Sequence, residues 1–558
     1  MERSWITSGY SMKIVIIGGV AGGMSAATRL RRLNEDAEII VLEKSGHVSY
    51  ANCGLPYYVG GVIEEEDSLL LQTPESLHSR FRLDVRVHTE ALSIDSANKH
   101  VVVKNLVTGE KYELTYDKLI LSPGASPVVP PLPGIERALT LRTVEDVVRI
   151  VEQVDKKPRN AVVIGGGFIG VEIAENLIHR GITTSLVEAT PQLLAPLDPE
   201  MAIYVSDEMS KHGVSLHLGD SVASIDKDTV HLSSGLVIPA DLIILAIGVR
   251  PDIALATSAG LTIGERKGIE VNEFNQTSEP DIYAIGDAAQ KRDWIDGSAT
   301  LVPLANLANR HGRVVADHIS GRTVRPVPTI GTAIVKVFDL MIATTGWNEK
   351  RLVAQNRPFT IIHTHPNSHA GYYPNAAQMT LKLLFDPKSG EILGAQGIGT
   401  EGVDKRIDVI ATAMRGGITA PELADLELAY APPFGSAKDA VNMLGYIAEN
   451  LLSHLVKTAQ WSEVEKYREQ GFTMLDVRNP SEYLNGSIPD SINIPVDDIR
   501  ERSGEIESKK VLVNCQVGQR GHTASLLLSE MGFEAINLDG GYLTWSHSPA
   551  HVRELITQ

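Results

Sequence analysis

The sequence contains very little cysteine and no long apolar run. Cys53 and Cys515 are the only cysteines among 558 residues, and two thiols so far apart do not suggest a disulfide framework, which favours a reducing, cytoplasmic setting. No apolar run reaches the roughly 18 residues that a membrane-spanning helix needs; a candidate such as Leu242–Val249 has the length of a buried strand. Residues 1–11 lack the apolar centre of a secretory signal, and we expect a leader or an expression remnant before a start at Met12.

Positive charge is also in short supply. Lys and Arg number 51 against 69 Asp and Glu, which gives a net charge of −18. This acidity argues against nucleic acid as the main partner, although local basic patches for a phosphorylated ligand are compatible with it. The length predicts three or four domains, and 43% apolar residues supply a sizeable core.

A glycine-rich turn follows the first predicted strand. Lys13–Ile17 is a β-branched apolar run, the turn is Gly18–Gly23, and the second strand, Glu38–Leu42, ends at Glu43. Glycines let the backbone approach a pyrophosphate at a helix N-terminus, and the acid can hold a ribose diol. The second glycine of the usual pattern is replaced by Val20. The alternative is a tight strand–helix turn without a ligand.

A second copy of this unit matches the full pattern. Its first strand is Ala161–Ile164, its turn is Gly165–Gly170, and its second strand, Thr184–Val187, ends at Glu188. Two copies with acids at similar spacing favour two dinucleotide sites. An acid at Glu188 favours NADH over NADPH, because it would repel the 2′-phosphate.

Three further strands run into short motifs. Tyr116–Leu121 precedes Ser122-Pro123-Gly124, Leu242–Ile247 precedes Gly248, and Gly286-Asp287 follows a third strand. With the two nucleotide units, these motifs resemble the flavoprotein disulfide reductases, over about residues 13–449. The resemblance implies FAD on the first fold, with Asp287 on its ribityl chain, and NAD(P)H on the second. The FAD residues it implies are Gly18, Val20, Ala21, Gly22, Glu43, Lys44, Asn52, Ser122, Pro123, Gly124, Asp287, Pro303 and Ala305. The NADH residues are Gly165, Gly167, Phe168, Ile169, Gly170, Glu188 and Gly248.

Cys53 is the candidate redox thiol beside the flavin. We expect a small helix to start at Gly54 or Leu55, so that the thiol feels the positive end of the helix dipole and ionises more readily. The alternative is a buried structural thiol. Family members of the glutathione type carry a second cysteine five positions later, where this chain has Tyr58. Reduction must therefore pass through a mixed disulfide with a small thiol, or through a sulfenic acid.

The last hundred residues resemble a rhodanese domain, over about residues 461–545. The motifs are Leu475–Arg478, Gly486–Pro489, and a Cys-x-x-Gly-x-Arg loop from Cys515 to Arg520. Successive backbone N–H groups in such a loop form an anion nest, and Arg520 adds positive charge, so we expect Cys515 to be a thiolate that can carry a persulfide. The alternative is an inactive rhodanese fold used for docking.

Several residues resemble the single-cysteine coenzyme A–disulfide reductases in particular. Related NADH oxidases and peroxidases place a histidine where this chain has Val20, which counts against those activities. The resemblance implies that Tyr430, with Tyr372 or Tyr373, acts as proton donor from the partner subunit of a homodimer, although Tyr430-Ala431-Pro432-Pro433 could be a mere turn. The residues we expect at coenzyme A are Ser49, Asn52, Arg29, Arg32, Tyr373 and Lys438; for Arg29 and Arg32, a solvated helix face is the alternative.

The predicted fold class is α/β, with two Rossmann-like FAD- and NAD(P)H-binding domains, an α+β dimerisation domain and a C-terminal α/β rhodanese domain. The predicted boundaries are 12–149 and 250–325 for the two parts of the FAD domain, 150–249 for NADH, 326–455 for dimerisation and 456–558 for rhodanese. The predicted activity is NADH-dependent reduction of coenzyme A persulfide, polysulfide or disulfide through Cys53, coupled to sulfur transfer. The alternatives are an NADH peroxidase or oxidase and a redox-sensing sulfur-relay protein. No metal site is expected, and His363, His365 and His369 are interpreted as a solvated loop.

Overall fold

The structure is a computed structural model that describes residues 11–549, so the expectation for residues 1–11 falls almost entirely outside it. The chain divides into two compact units. One comprises residues up to 189 and 213–330, and the other comprises 190–212 and 331 onward. None of the described helices is both long and apolar enough to cross a bilayer.

Two parallel five-stranded sheets form the centre of the first unit, as the apolar β-branched runs predict. The strand order of the first sheet is Ile282–Ala284, Lys118–Leu121, Lys13–Ile17, Glu38–Leu42 and Asp84–Arg86. The strand order of the second sheet is Ser215–Leu218, Thr183–Glu188, Asn160–Ile164, Leu242–Leu245 and Leu139–Thr140. The central strands are buried on both faces, which explains their continuous apolar sequence.

Smaller antiparallel sheets and further helices complete the described part of this unit. The antiparallel strands are Thr89–Asp95, His100–Asn105 and Lys111–Thr115; Val222–Ile225, Thr229–Leu232 and Val237–Pro239; Ala125–Pro127 with Val249–Pro251; and Lys291–Arg292 with Ala299–Thr300. The helices are Ala21–Leu33, Leu55–Val59, Pro74–Phe81, Val144–Val154, Phe168–His179, Ala254–Ser258 and Ala305–Ile319.

The second unit contains an antiparallel sheet and a separate parallel sheet. The antiparallel order is Ala333–Val337, Leu340–Gly346, Ile392–Gly399, Met379–Phe385 and Thr360–Thr364. The parallel order is Thr458–Ala459, Glu534–Leu538, Lys510–Asn514, Thr473–Asp476 and Ile492–Asn493. The helices are Pro199–Lys211, Glu349–Ala354, Val403–Gly416, Ala440–Leu452, Val464–Glu469, Pro480–Leu484, Ile499–Arg502, Gln519–Glu530 and Gly541–Ser546.

The interpretation of the three histidines as a solvated loop is wrong. His363, His365 and His369 are at most 6% exposed. His363 belongs to the edge strand Thr360–Thr364, and its ring contacts residues far away in sequence. The segment looks like a polar loop in the sequence, whereas the carboxylates and hydroxyls that bond the His363 and His365 rings come from other segments of the chain.

Candidate active site

The first glycine turn holds its acid by a backbone hydrogen bond. Gly18 has φ 103°, and a Cβ there would lie 2.0 Å from the Ser122 carbonyl oxygen. The Gly19 N–H donates to Glu43 Oε2 at 2.8 Å. Helix Ala21–Leu33 then begins with N–H groups that have no intrahelical acceptor. The turn therefore presents a positive N-terminus beside a carboxylate that has lone pairs left for a hydroxyl group.

The second glycine turn repeats this geometry. Gly165 has φ 111°, and the Gly166 N–H donates to Glu188 Oε2 at 2.7 Å. A Cβ at Gly170 would lie 1.9 Å from the Gly165 carbonyl oxygen, as one at Gly23 would from Gly18. Helix Phe168–His179 starts directly after the turn and includes Ile169. Both dinucleotide turns predicted from the sequence thus have the close backbone approach that a pyrophosphate needs.

Other residues predicted to hold FAD also lie in the first unit. Asp287 lies in the turn Gly286–Ala288, and Lys291 Nζ donates to the carbonyls of Gly286 at 2.6 Å and Ala289 at 2.9 Å. Gly22 leaves room that a Cβ would fill to within 3.1 Å of Ser122 Oγ. Among the other predicted FAD residues, Gly124 has positive φ, Lys44, Pro303 and Ala305 are exposed, and Ala305 starts a helix. Gly248, predicted at the NADH site, also has positive φ. The residues present fit FAD. The glycine turn leaves its backbone accessible, the helix N-termini offer N–H groups without intrahelical acceptors, and the acid expected to hold the ribose is present.

Arg142, which the sequence analysis missed, connects two predicted FAD residues. Its Nη2 atom pairs with Asp287 Oδ2 at 2.7 Å. With the amide oriented to match donors to acceptors, Asn52 Nδ2 donates to the Arg142 carbonyl at 3.1 Å and its Oδ1 accepts from Arg142 Nη1 at 3.3 Å. Arg142 precedes an ordinary helix cap at Thr143, so no local pattern distinguishes it.

Cys53 lies in the turn Asn52–Gly54, immediately before helix Leu55–Val59. The predicted helix start is therefore confirmed, but the expectation that the thiol ionises more readily is not met by this chain's residues. Partial removal from water raises the pKa of Cys53, the Glu172 charge raises it further, and Arg142 only partly opposes these two effects. The thiol is nevertheless exposed in the single chain. A helix of five residues has a weak dipole, which desolvation and one acid outweigh.

Glu172 and Tyr57 form a second pair that the sequence analysis missed. Tyr57 Oη donates to Glu172 Oε1 at 3.2 Å. Burial raises the pKa of Glu172 to about 7, while the bond from Tyr57 opposes the shift. Glu172 follows Phe168 by one helical turn on the helix of the second glycine turn, and Tyr57 follows Cys53 by four residues. These two spacings are the sequence signals from which the pair could have been predicted. The pair places a proton-exchanging carboxyl near the thiol.

The predicted tyrosines meet in the second unit. Tyr372 and Tyr430 join hydroxyl to hydroxyl at 3.0 Å, and this bond raises the pKa of Tyr430. Tyr372 is 78% exposed, and Tyr373, Tyr430 and Phe434 are exposed as well. We call these four exposed aromatic residues the aromatic patch.

Of the other residues expected at coenzyme A, Arg29 already has a partner. It pairs with Asp317 at 2.7 Å. The Arg32 guanidinium lies 5.7 Å from the centre of the Phe81 ring. Ser49 has φ 49° and donates its N–H to the Gly19 carbonyl beside the first turn, whereas Lys438 is exposed in the second unit. Arg32 and Ser49 have room for a ligand contact, whereas Arg29 would first have to share its carboxylate.

Cys515 lies at the head of the predicted loop, after the buried strand Lys510–Asn514. The thiol is fully buried. Gly518 has φ 91° and precedes helix Gln519–Glu530, whose first N–H groups have no intrahelical acceptor. Tyr542 N–H donates to the Cys515 carbonyl at 2.7 Å. The loop is thus a backbone nest closed from one side by a second segment.

Two arginines flank this loop, each with a carboxylate. Arg520 makes bonds of 2.8 and 2.6 Å to both oxygens of Glu482, and Glu482 and Cys515 raise the pKa of Arg520. Arg478 is 1% exposed, pairs with Asp476 at 2.7 Å and donates to Gln516 Oε1 at 3.0 Å. Arg520 is thereby fixed in orientation beside the thiol.

Two groups of three among the described residues bring their ligand atoms within 4.8 Å of one another. They are Glu208, His212 and Asp339, and Asp198, Glu200 and Glu349. The ammonium of Lys382 pairs with all three carboxylates of the second group. The expectation that the chain has no metal site stays a prediction.

Comparison with known families agrees with this geometry. The chain matches the model of pyridine nucleotide-disulphide oxidoreductases over residues 12–312, the dimerisation domain of that family over 332–441, and the rhodanese-like domain over 460–548. The first match spans more than half of the chain, so the chain belongs to the pyridine nucleotide-disulphide oxidoreductase family. The predicted fold class and flavoprotein oxidoreductase class are confirmed, and the family uses FAD and NAD(P)H.

Three individual proteins are similar to this chain over most of their length. Reduced Bacillus anthracis CoADR-RHD is 51% identical with a TM-score of 0.95, over 96% of this chain and 98% of that one. An NAD-dependent persulfide reductase from A. fulgidus is 36% identical with a TM-score of 0.90, over 96% and 100%. Coenzyme A disulfide reductase of Staphylococcus aureus (strain JH9) is 36% identical over 78% of this chain and 100% of its own length.

Proposed function

We propose that this protein uses NADH to reduce coenzyme A persulfide or disulfide through Cys53, and that it transfers sulfane sulfur at Cys515. The observation that carries the proposal is that Cys53 is the only cysteine of the reductase part, with Tyr58 at the family's second position. A lone thiol can pass electrons to a small disulfide only through a mixed disulfide. The similarity to a coenzyme A disulfide reductase and a persulfide reductase supports the same substrates.

The sulfur chemistry balances as follows. The Cys53 thiolate attacks the coenzyme A sulfur of the persulfide, forming a Cys53–S–S–CoA bond and releasing sulfide. FAD held at the first turn supplies the chemistry that carries an electron pair from NADH to sulfur. The mixed disulfide takes up two electrons and splits into the Cys53 thiolate and the coenzyme A thiolate. The sum is CoA–S–SH + NADH + H⁺ giving CoA–SH + H₂S + NAD⁺; a coenzyme A disulfide gives two CoA–SH instead.

Protons come from this chain's own side chains. In the proposed homodimer, Tyr430 of one subunit protonates the leaving sulfur at Cys53 of the other, and Tyr372 orients its hydroxyl at 3.0 Å. The aromatic patch is exposed in a single chain, and the matching dimerisation domain supports its being covered by a second copy. Arg32, Ser49, Asn52, Tyr373 and Lys438 are proposed to contact coenzyme A, and Arg29 to do so by sharing Asp317.

Cys515 is proposed to work as a separate sulfur carrier. Its thiolate takes sulfane sulfur from a donor such as thiosulfate, forming a persulfide and releasing sulfite, and then passes the sulfur to an acceptor thiol. Arg520 and the backbone nest stabilise the anionic sulfur. No electrons from NADH are needed for this exchange.

A steady-state comparison tests the proposal. NADH oxidation by the FAD-loaded protein is measured with coenzyme A persulfide, coenzyme A disulfide, polysulfide and hydrogen peroxide. We expect the highest kcat/KM with one of the coenzyme A substrates. Turnover with peroxide above all three sulfur substrates would instead establish the peroxidase alternative.

A further inference from the structure

His363 connects the edge of the antiparallel sheet to the rhodanese part. Strand Thr360–Thr364 is an edge strand, so its outward backbone groups need partners from elsewhere. The His363 N–H donates to Asp539 Oδ2 at 2.9 Å, and Gln460 Nε2 donates to the Ile361 carbonyl at 3.4 Å. Gln460 also donates to Asp539 Oδ2 at 3.2 Å. Two side chains of the rhodanese part therefore cover this edge.

The His363 ring lies between two carboxylates. Nδ1 is 2.7 Å from Asp539 Oδ2, and Nε2 is 3.0 Å from Glu200 Oε1, with the ring fully buried. Ionised carboxylates only accept hydrogen bonds, so both ring nitrogens must donate and the ring is an imidazolium. Burial alone would lower the pKa of His363, but the bonds to Asp539 and Glu200 outweigh it and raise the pKa to about 9.

The groups that face His363 come from three elements. They are Asp539, Glu200 on helix Pro199–Lys211, and Lys382 on the neighbouring strand. Lys382 also pairs with Asp198 at 2.9 Å and with Glu349. His365 lies nearby and is neutral, because burial and the His363 charge lower its pKa to about 3. Among these groups, His363 is therefore the one expected to lose its proton when the pH is raised moderately above neutral.

The segment that His363 holds also closes the Cys515 loop. The Tyr542 and Leu543 N–H groups donate to the carbonyls of Cys515 and Gln516 at 2.7 and 2.9 Å. A Cβ at Gly541 would lie 2.4 Å from the Cys515 carbonyl oxygen, and one at Gly540 would lie 2.8 Å from His363 Cβ. His365 Nε2 makes a further bond of 2.8 Å to Thr544 Oγ1. The path from His363 to the persulfide loop therefore runs through one tight backbone segment, residues 539–544.

We propose that His363 is a positioning residue for sulfur transfer: as a buried imidazolium joining Asp539 to Glu200, it holds residues 539–544 against the Cys515 loop. The inference rests on the proposed sulfur transfer at Cys515 and adds a residue outside the rhodanese fold to it. Loss of the charge loosens the segment, and the nest around Cys515 loses its closed geometry.

The first test compares His363→Gln with His212→Gln in the full-length, FAD-loaded protein. His212 makes a similar bond, 3.0 Å from its Nε2 to Glu208 Oε1, but it caps the C-terminus of helix Pro199–Lys211, whereas Glu200 lies at the N-terminus of that helix. With thiosulfate as sulfur donor and cyanide as acceptor, H363Q should lose about tenfold in kcat/KM at pH 7, the scale of a small displacement of reacting groups. H212Q should stay within about twofold, and NADH-dependent reduction of coenzyme A disulfide should be unchanged in both.

A pH profile separates positioning from general destabilisation. Because the folded-state pKa of His363 is raised, its contribution is complete below its ordinary value of 6.5 and is lost as the pH rises through about 9. The ratio of unaltered protein to H363Q should therefore fall from about ten toward one above pH 9. A constant ratio across pH 6.5–10 would overturn the proposal.

Amide hydrogen exchange supplies a readout that needs no activity. We expect faster exchange in residues 539–544 of H363Q, and in the unaltered protein above pH 9. Unchanged exchange together with unchanged sulfur transfer would overturn the proposal. If H363Q does not fold, Asp539→Asn, which keeps an acceptor without the charge, decides by the same two measurements. If the unaltered protein transfers no sulfur, the proposed function fails at Cys515 while the exchange data still test His363.

Discussion

Cys53 and Cys515 are the same chemical group in opposite surroundings. Cys53 is exposed on a short turn, and its pKa is raised by desolvation and, to a smaller extent, by the charges of Glu172 and Asp287. Cys515 is fully buried, at the start of a loop that leads into a helix N-terminus and that has Arg520 beside it. The chain supplies a positive group beside Cys515, whereas the surroundings of Cys53 within the chain disfavour ionisation of its thiol. Ionisation of Cys53 is therefore expected to depend on groups that bind beside it.

The strongest way to break this comparison is to remove the redox thiol. Cys53→Ser should lower NADH-dependent reduction of coenzyme A persulfide and disulfide by about 10³-fold or more, the scale of losing a nucleophile. FAD content, measured from the flavin absorbance of the purified protein, should stay normal, because the cradle does not use the thiol. A variant that turns over at the unaltered rate would refute the role of Cys53.

Removing the other thiol should have the complementary effect. Cys515→Ser should abolish thiosulfate–cyanide sulfur transfer yet leave reduction of preformed coenzyme A persulfide within about twofold. The reductase part has its own thiol and cofactor sites, so its electron path does not include Cys515. If C515S loses persulfide reduction as completely as C53S, the two thiols share one obligatory path.

Replacing NADH by NADPH should change the rate of the reductase reaction at Cys53 but not sulfur transfer at Cys515. We expect kcat/KM for NADH to exceed that for NADPH, because the Glu188 carboxylate would face the 2′-phosphate. Glu188→Gln removes the charge but keeps an acceptor for the Gly166 N–H, and should improve NADPH use by about tenfold. Equal use of both nucleotides by the unaltered protein would mean that Glu188 does not meet the phosphate. Sulfur transfer at Cys515 serves as the unaffected control.

The smallest expected effect concerns the negative charge of Glu172 near Cys53. Glu172→Gln removes a carboxylate that raises the pKa of Cys53, so the thiol should ionise at lower pH. The pH dependence of iodoacetamide labelling at Cys53, followed by mass spectrometry, measures this shift. Glu175→Gln, one helical turn away, is the matched control and should shift the curve less. An unshifted curve in E172Q would show that the Glu172 charge does not raise the pKa of Cys53.

Local features were predictable from the sequence, and distant contacts were not. Both glycine turns, with Glu43 and Glu188, follow from short patterns because the strand, turn and acid lie within about 25 residues of one another. The bond from Tyr57 to Glu172 spans 115 residues, that from Arg142 to Asp287 spans 145, and that from His363 to Asp539 spans 176. Burial of such polar groups depends on which segments meet, so neither their pKa values nor the burial of the histidines could be read from neighbouring residues.

The hydrogen bond from the Gly166 amide to Glu188 has a consequence for redesign. A change of cofactor preference would be simple if the side chain that selects the nucleotide could be replaced without disturbing the turn. Here Glu188, the acid expected to select NADH, also accepts the hydrogen bond that fixes the backbone of the turn, at 2.7 Å. A cationic replacement chosen to attract NADPH would leave that amide without its partner and loosen the pyrophosphate site for either nucleotide. Nucleotide specificity and the geometry of the pyrophosphate turn thus depend on the same side chain. A substitution of Glu188 that changes specificity must also supply an acceptor for the Gly166 N–H.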